Sequence, residues 1–77
     1  MVILTKLDSA FGKSLKSRRL SSNLSQEQLG LKSRLSRSYI SDLEMGKKDP
    51  SLFTIFKLAS ALQLKPSVLI DEVGDTI

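Results

Sequence analysis

Two serine-capped helix starts follow one another in one short stretch, and no other feature constrains the fold as strongly. Leu24-Ser25-Gln26-Glu27-Gln28-Leu29 places an N-cap at Ser25, a capping-box partner at Gln28 and a hydrophobic staple between Leu24 and Leu29. Leu35-Ser36 followed by Ile40 repeats the grammar, with Ser36 as the cap and Leu35 and Ile40 as the staple. A new cap requires that the previous helix has ended. The first of these helices therefore ends near Ser33, and the second stops at Gly46, a residue suited to the position just past a helix end.

The same punctuation divides the rest of the chain. Leu7, Phe11, Leu15 and Arg19 recur at four-residue spacing and predict a helix from about Asp8 to Ser21, preceded by a short arm over residues 1–7. Asn23 stands where a left-handed residue ends a helix, a role Asn fills second only to Gly. Lys47-Lys48-Asp49-Pro50 reads as a loop, and Ser51 caps a fourth helix whose stripe is Leu52, Ile55, Phe56, Ala59 and Leu62. A fifth helix starts at Pro66, which tolerates a first-turn position, and the tail 74–77 is expected to fray. No alternation of period two is long enough for a strand. The expected fold is all-α, five short helices in a single domain over residues 1–77.

Composition limits what such a domain can do. A chain of 77 residues buries only about 60% of the surface its unfolded form exposes, so its core is marginal. There is no cysteine and no histidine, which removes disulfides, thiolate metal sites, the commonest general base and the commonest neutral metal ligand. No metal, cofactor or small-molecule ligand is expected. The formal charge of +4 is uneven: residues 1–48 hold ten Lys or Arg against four Asp or Glu, and residues 49–77 hold two against four. A basic front points to a polyanion. The longest purely apolar run, Val2-Ile3-Leu4, is far too short for a membrane span or a signal-peptide core, so a cytoplasmic protein is expected.

Two short helices joined by a tight turn, about residues 25–46, form a helix-turn-helix arrangement. On a wheel of about 100° per residue, Arg37, Ser41, Met45, Ser38 and Asp42 share one arc of the second helix. Leu43 and Ile40 share the opposite arc, flanked by Tyr39 and Glu44. One face is fit for a core, and the other presents guanidinium, hydroxyl and carboxylate groups. Arg37 lies in the first turn, which recognition helices of this kind aim at the bases. An arginine there can bond O6 and N7 of guanine together, Ser38 can donate or accept, and Asp42 can accept from the cytosine amino group. A solvent-facing helix in a plain bundle has the same wheel, so the wheel alone does not separate the two readings.

Residues from about Phe11 to Leu64 resemble the Xre/Cro/cI-type helix-turn-helix family. The resemblance is carried by Leu24 to Leu29, by Ser38-Tyr39-Ile40-Ser41-Asp42-Leu43-Glu44-Met45-Gly46 and by Pro50-Ser51-Leu52. Within the family, Arg37 to Ser41 is most similar to the controller proteins of restriction–modification systems, with small phage repressors next. The resemblance implies a lambda-repressor-like domain that regulates transcription by binding an operator in double-stranded DNA as a homodimer. It implies base-reading roles for Arg37, Ser38 and Asp42, and Ser41 joins them as a candidate because it shares their arc. It implies that Gln26, Tyr39, Lys47 and Lys48 contact the DNA backbone; Ser36, the cap beside them, is a further backbone candidate, and Arg34, which departs from the family, would reach a phosphate. Arg19 and Glu44 match a buried ion pair, and the residues agree: each sits on or beside an apolar stripe, where a lone charge is costly. Many members have alanine where Gly30 stands and glycine where Arg34 stands; Arg34 is strained if that turn residue has positive φ.

One recognition helix reads only about four base pairs, and paired half-sites about 34 Å apart solve that problem. Phe53 and Leu58 lie off the main stripe of the fourth helix, and Val68, Ile70 and Val73 add apolar surface. Phe53, Val68, Ile70 and Val73 are the candidate dimer contacts. Two rival classes are an antitoxin-like protein-binding module, which usually carries an added neutralising segment, and a small nuclease. Asp42 and Glu44 face different directions on one helix and cannot jointly hold a metal.

Overall fold

In the computed structural model the backbone is described for residues 2–76 and the side chains for residues 6–75. Five helices follow in order: α1 (Val2–Ser21), α2 (Gln26–Ser33), α3 (Arg37–Glu44), α4 (Leu52–Ala61) and α5 (Pro66–Thr76). No strand occurs among the described residues. The helix starts follow their caps. The Ser25 Oγ accepts from the Gln28 N–H at 3.0 Å while the Gln28 Oε1 accepts from the Ser25 N–H at 2.8 Å, which completes the capping box. Ser36 and Ser51 cap α3 and α4 in the same way through the N–H groups of Tyr39 and Thr54.

Four helices end alike. After α1, α2, α3 and α4 a residue with positive φ (Asn23, Arg34, Gly46, Gln63) turns the chain, and the next N–H returns to a carbonyl of the last turn. Leu24 bonds Arg19, Leu35 bonds Gly30, Lys47 bonds Asp42 and Leu64 bonds Ala59. Arg34, at φ 61° and ψ 36°, ends α2. A left-handed non-glycine residue costs about 1–2 kcal/mol, partly offset because glycine loses more freedom on folding. Arg34→Gly is therefore expected to stabilise the fold by about 0.5–1 kcal/mol, read as a higher midpoint in urea. An unchanged or lower midpoint contradicts this.

Leu15, Leu29, Ile40, Leu43, Leu58 and Leu69 are fully buried and come from all five helices. α1 packs on α3 and α5, α2 on α3 and α4, and α4 on α5. The crossing of α1 over α3 depends on Gly12: a Cβ there would stand 2.5 Å from the carbonyl oxygens of both Leu43 and Glu44. Both obstacles are backbone, so α3 would have to move. Gly12→Ala is expected to cost about 1–3 kcal/mol despite alanine's higher helix propensity, measured by chemical denaturation. An equal or more stable variant would show that the crossing has slack.

Three expectations need correction. α1 starts at Val2, so residues 2–7 are helical and not an arm; Met1 lies outside the described residues. The stretch from Val2 to Asp8 holds no Gly and no Pro to interrupt a helix, and neither Thr5 nor Asp8, though both are cap-capable, begins one here. Gly74 to Thr76 continue α5, with Ile77 outside the described residues. The stripe of α4 is rotated: Thr54, Leu58, Ala59 and Leu62 face inward, while Leu52 and Phe56 are exposed. An almost wholly apolar helix accommodates both registers, so spacing did not select one.

Candidate nucleic-acid interface

The polar arc lies on the outward side of α3, where the wheel puts it. Ile40 and Leu43 are fully buried, Tyr39 is half-buried and the Glu44 side chain is buried beside them, and Arg37 and Ser38 are exposed at the first turn of α3. Ser41 and Asp42 are half-buried on the same arc, and Met45 is exposed at its end. Lys47 and Lys48 follow on the exposed loop.

What holds α3 is a buried polar knot. The Arg19 Nε and Nη2 donate to the two carboxylate oxygens of Glu44 at 2.6 and 3.0 Å, and Nη1 donates to the Leu24 carbonyl at 2.8 Å. The two side chains are 9% and 3% exposed. The hydrogen bond to Glu44 drives the Arg19 pKa upward; burial opposes this and the Glu44 charge assists it. Gln26, the first residue of α2, donates through Nε2 to Glu44 Oε1 at 3.0 Å. Its second amide hydrogen remains available to a phosphate. One carboxylate thus ties α1, α2 and α3 together. No buried side-chain nitrogen or oxygen among the described residues lacks a hydrogen-bond partner.

Other placements differ from one another. The Ser36 Oγ caps α3 by accepting from the Tyr39 N–H, which leaves its own hydroxyl proton free to donate. The Tyr39 hydroxyl lies 3.4 Å from Thr54 Oγ1, which accepts from Ser51 Oγ at 3.0 Å, so α3 is also braced to the start of α4. That brace was not visible in the sequence, because nothing local links Tyr39 to Thr54. Arg18 pairs with Glu72 across α1 and α5 at 2.7 Å, also without a sequence signal. Arg34 is exposed beside Lys32, Phe53, Phe56 and Lys57, around an open cavity of about 310 Å³. The Lys57 Nζ stands 4.8 Å from the centre of the Phe53 ring.

Of the candidate dimer contacts, Phe53 is 70% exposed, Ile70 is exposed and Val68 is half-buried. Val73 is not available: it is only 8% exposed and sits in the core with Leu69, one turn before it. Leu58, the other off-stripe residue of α4, is fully buried as well.

Asp8 and Asp49 share an open cavity with Leu7 and Pro50 between α1 and the α3–α4 loop. A hydrogen bond with Asp49 raises the Asp8 pKa, with burial and the Asp49 charge acting in the same direction. A carboxyl whose folded pKa is raised makes the fold less stable as pH climbs from the ordinary aspartate range to the raised value. Asp49→Asn is accordingly expected to raise the melting temperature at pH 7, with the gain shrinking as pH falls toward about 4. A gain that stays constant with pH would contradict the coupling.

The helix-turn-helix family model matches residues 15–69. The chain belongs to the helix-turn-helix family. It is similar to the control protein C.BamHI of Bacillus amyloliquefaciens, with 45% identity over 62 residues, 79% of this chain and 76% of that one. The restriction–modification controller protein C.AhdI of Aeromonas hydrophila matches at TM-score 0.79 and 42% identity, over 80% of this chain and 94% of that chain. The immunity repressor of Bacillus phage phi105 is 39% identical over 61 residues, 79% of this chain but only 42% of the repressor. This helix-turn-helix chain is a DNA-binding regulator by family and resembles restriction–modification controller proteins; the family it matches is one of DNA-binding regulators and not of enzymes. No single helix among the described residues is long and apolar enough to cross a membrane; α4 and α5 would pass only as a pair, and that pair is bent by 109°.

Proposed function

We propose that this protein is a sequence-specific transcription regulator that binds a symmetric operator in double-stranded DNA as a homodimer, acts in the cytoplasm, and serves as a restriction–modification controller. The observation that carries the reading is α3 itself: a helix locked from inside by Arg19, Glu44 and Gln26 that offers Arg37, Ser38, Ser41 and Asp42 outward. Lys47, Lys48, Ser36, Gln26 and Tyr39 supply phosphate contacts around that arc, and their cations make affinity fall with salt. Arg34 would serve as a more distant phosphate contact. The similarity to C.BamHI and C.AhdI supports the controller role.

Of the candidate dimer contacts, Phe53 on α4 and Val68 and Ile70 on α5 remain, and Leu52 and Phe56, exposed on α4, are added to them. These large apolar groups are left outside a core too small to cover them. Light scattering on the free protein and on its DNA complex tests this: a dimer and two protomers per duplex are expected, with Phe53→Asp monomeric yet folded. A monomer at all concentrations, bound one per duplex, contradicts the dimer. A phage-type repressor is the second reading, favoured by the similarity to the phi105 repressor. The genes beside the operator distinguish the two.

A further inference from the structure

Met45 stands on the reading arc yet cannot donate a hydrogen bond to a base. It is the C-cap of α3, at φ −87° and ψ 2°, near enough to helical values that the wheel continues through it. At about 100° per residue it falls between Ser41 and Ser38, in the middle of the arc from Arg37 to Asp42. Its side chain is 57% exposed, whereas the other aliphatic residues of this segment, Ile40 and Leu43, are fully buried. A lone exposed methionine is ordinary on a protein surface. This one is the aliphatic group among a guanidinium, two hydroxyls and a carboxylate.

Its backbone is fixed from both sides. The Leu43 and Glu44 carbonyls abut Gly12 of α1. The Gly46 and Lys47 N–H groups close onto the Leu43 and Asp42 carbonyls. The side chain is therefore presented from a rigid turn, directly before the lysines of the loop.

The largest apolar group on the major-groove edges of the bases is the methyl on C5 of thymine; cytosine has only a hydrogen there, and 5-methylcytosine carries the same methyl in the same place. We propose that Met45 reads a pyrimidine C5-methyl group, a contact that rests on the DNA-reading role of α3. Arg37 and Met45 are about 12 Å apart along the helix at about 1.5 Å per residue, or three to four base-pair steps at about 3.4 Å each. The methyl thus lies about three to four base pairs from the guanine that Arg37 meets. The end of a recognition helix stands farther from the groove floor than its start, and a long unbranched side chain spans that gap.

The test uses the full chain and its selected operator, with each thymine replaced in turn by deoxyuridine, which removes the methyl and keeps every hydrogen-bonding group. One buried methyl is worth about 0.8 kcal/mol, or about four-fold in affinity. The expected result is one position per half-site where deoxyuridine weakens binding about four-fold, with the penalty gone in Met45→Ala. The fold of that variant is checked by its thermal melt. At the same position 5-methylcytosine paired with guanine binds more tightly than cytosine to the wild-type chain and no more tightly to Met45→Ala, which separates the methyl from the rest of thymine. Two results overturn the inference: no deoxyuridine costing more than twofold, or a penalty undiminished in Met45→Ala. If no operator can be selected at all, the DNA-reading role of α3 falls and this contact falls with it.

Discussion

Replacing Glu44 with alanine is expected to destabilise the domain by about 3–5 kcal/mol, because it leaves the Arg19 guanidinium buried without its counter-charge. A domain of this length has on the order of 4–12 kcal/mol in all, so the variant loses a large share of its stability. The loss is not that of one ion pair. Glu44 Oε1 also accepts from Gln26, so the variant frees the start of α2 and the end of α3 together. The measurement is urea unfolding of Glu44→Ala, Arg19→Met and the double variant. The double variant is expected to be more stable than Glu44→Ala alone, since it no longer buries an unpaired charge. Independent, additive losses would show that the two residues are not a unit.

Arg37→Ala is expected to cost about 1–3 kcal/mol on the selected operator and to relax base preference at one position, while stability stays unchanged. Arg37 is exposed and holds nothing in the fold, so its removal is felt only by the ligand. Lys48→Ala is the control. Its ammonium is a phosphate contact in this account, so it should weaken all duplexes alike and lower the salt slope by about one. Equal losses for operator and random DNA in Arg37→Ala would remove it from base reading. Competition binding at fixed ionic strength measures both variants.

How legible the fold was in the sequence depended on whether its cause was local. Ser25, Ser36 and Ser51 set helix starts through hydrogen bonds that span three residues, and each start is where its cap puts it. Gly46 and Asn23 acted locally too, through their tolerance of positive φ. The pairing of Arg19 with Glu44, 25 residues apart, came from the family resemblance; the residues themselves said only that a charge on or beside an apolar stripe demands a partner. α4 was not legible: Leu52 to Leu58 offer apolar residues in every direction, and only the neighbouring helices decide that Leu58 goes in and Phe56 stays out. Val73 was misassigned for the same reason, since the face of α5 is set by α1. Gly12 gave a faint signal, a glycine inside a helix, but the carbonyls that require it belong to α3. The division of α3 into a polar and an apolar face was clear because its residues segregate, although segregation alone did not say what the polar face meets; the Tyr39–Thr54 brace behind it was not visible.

Selection of bound duplexes from a random DNA pool, followed by sequencing, tests the central claim most directly. The expected result is an enriched sequence with two-fold symmetry, its half-sites about one helical turn apart and a guanine in each that loses its preference in Arg37→Ala. Recovery that depends on salt but enriches no sequence would contradict it, and α3 would then be a basic surface helix that binds polyanions without reading them.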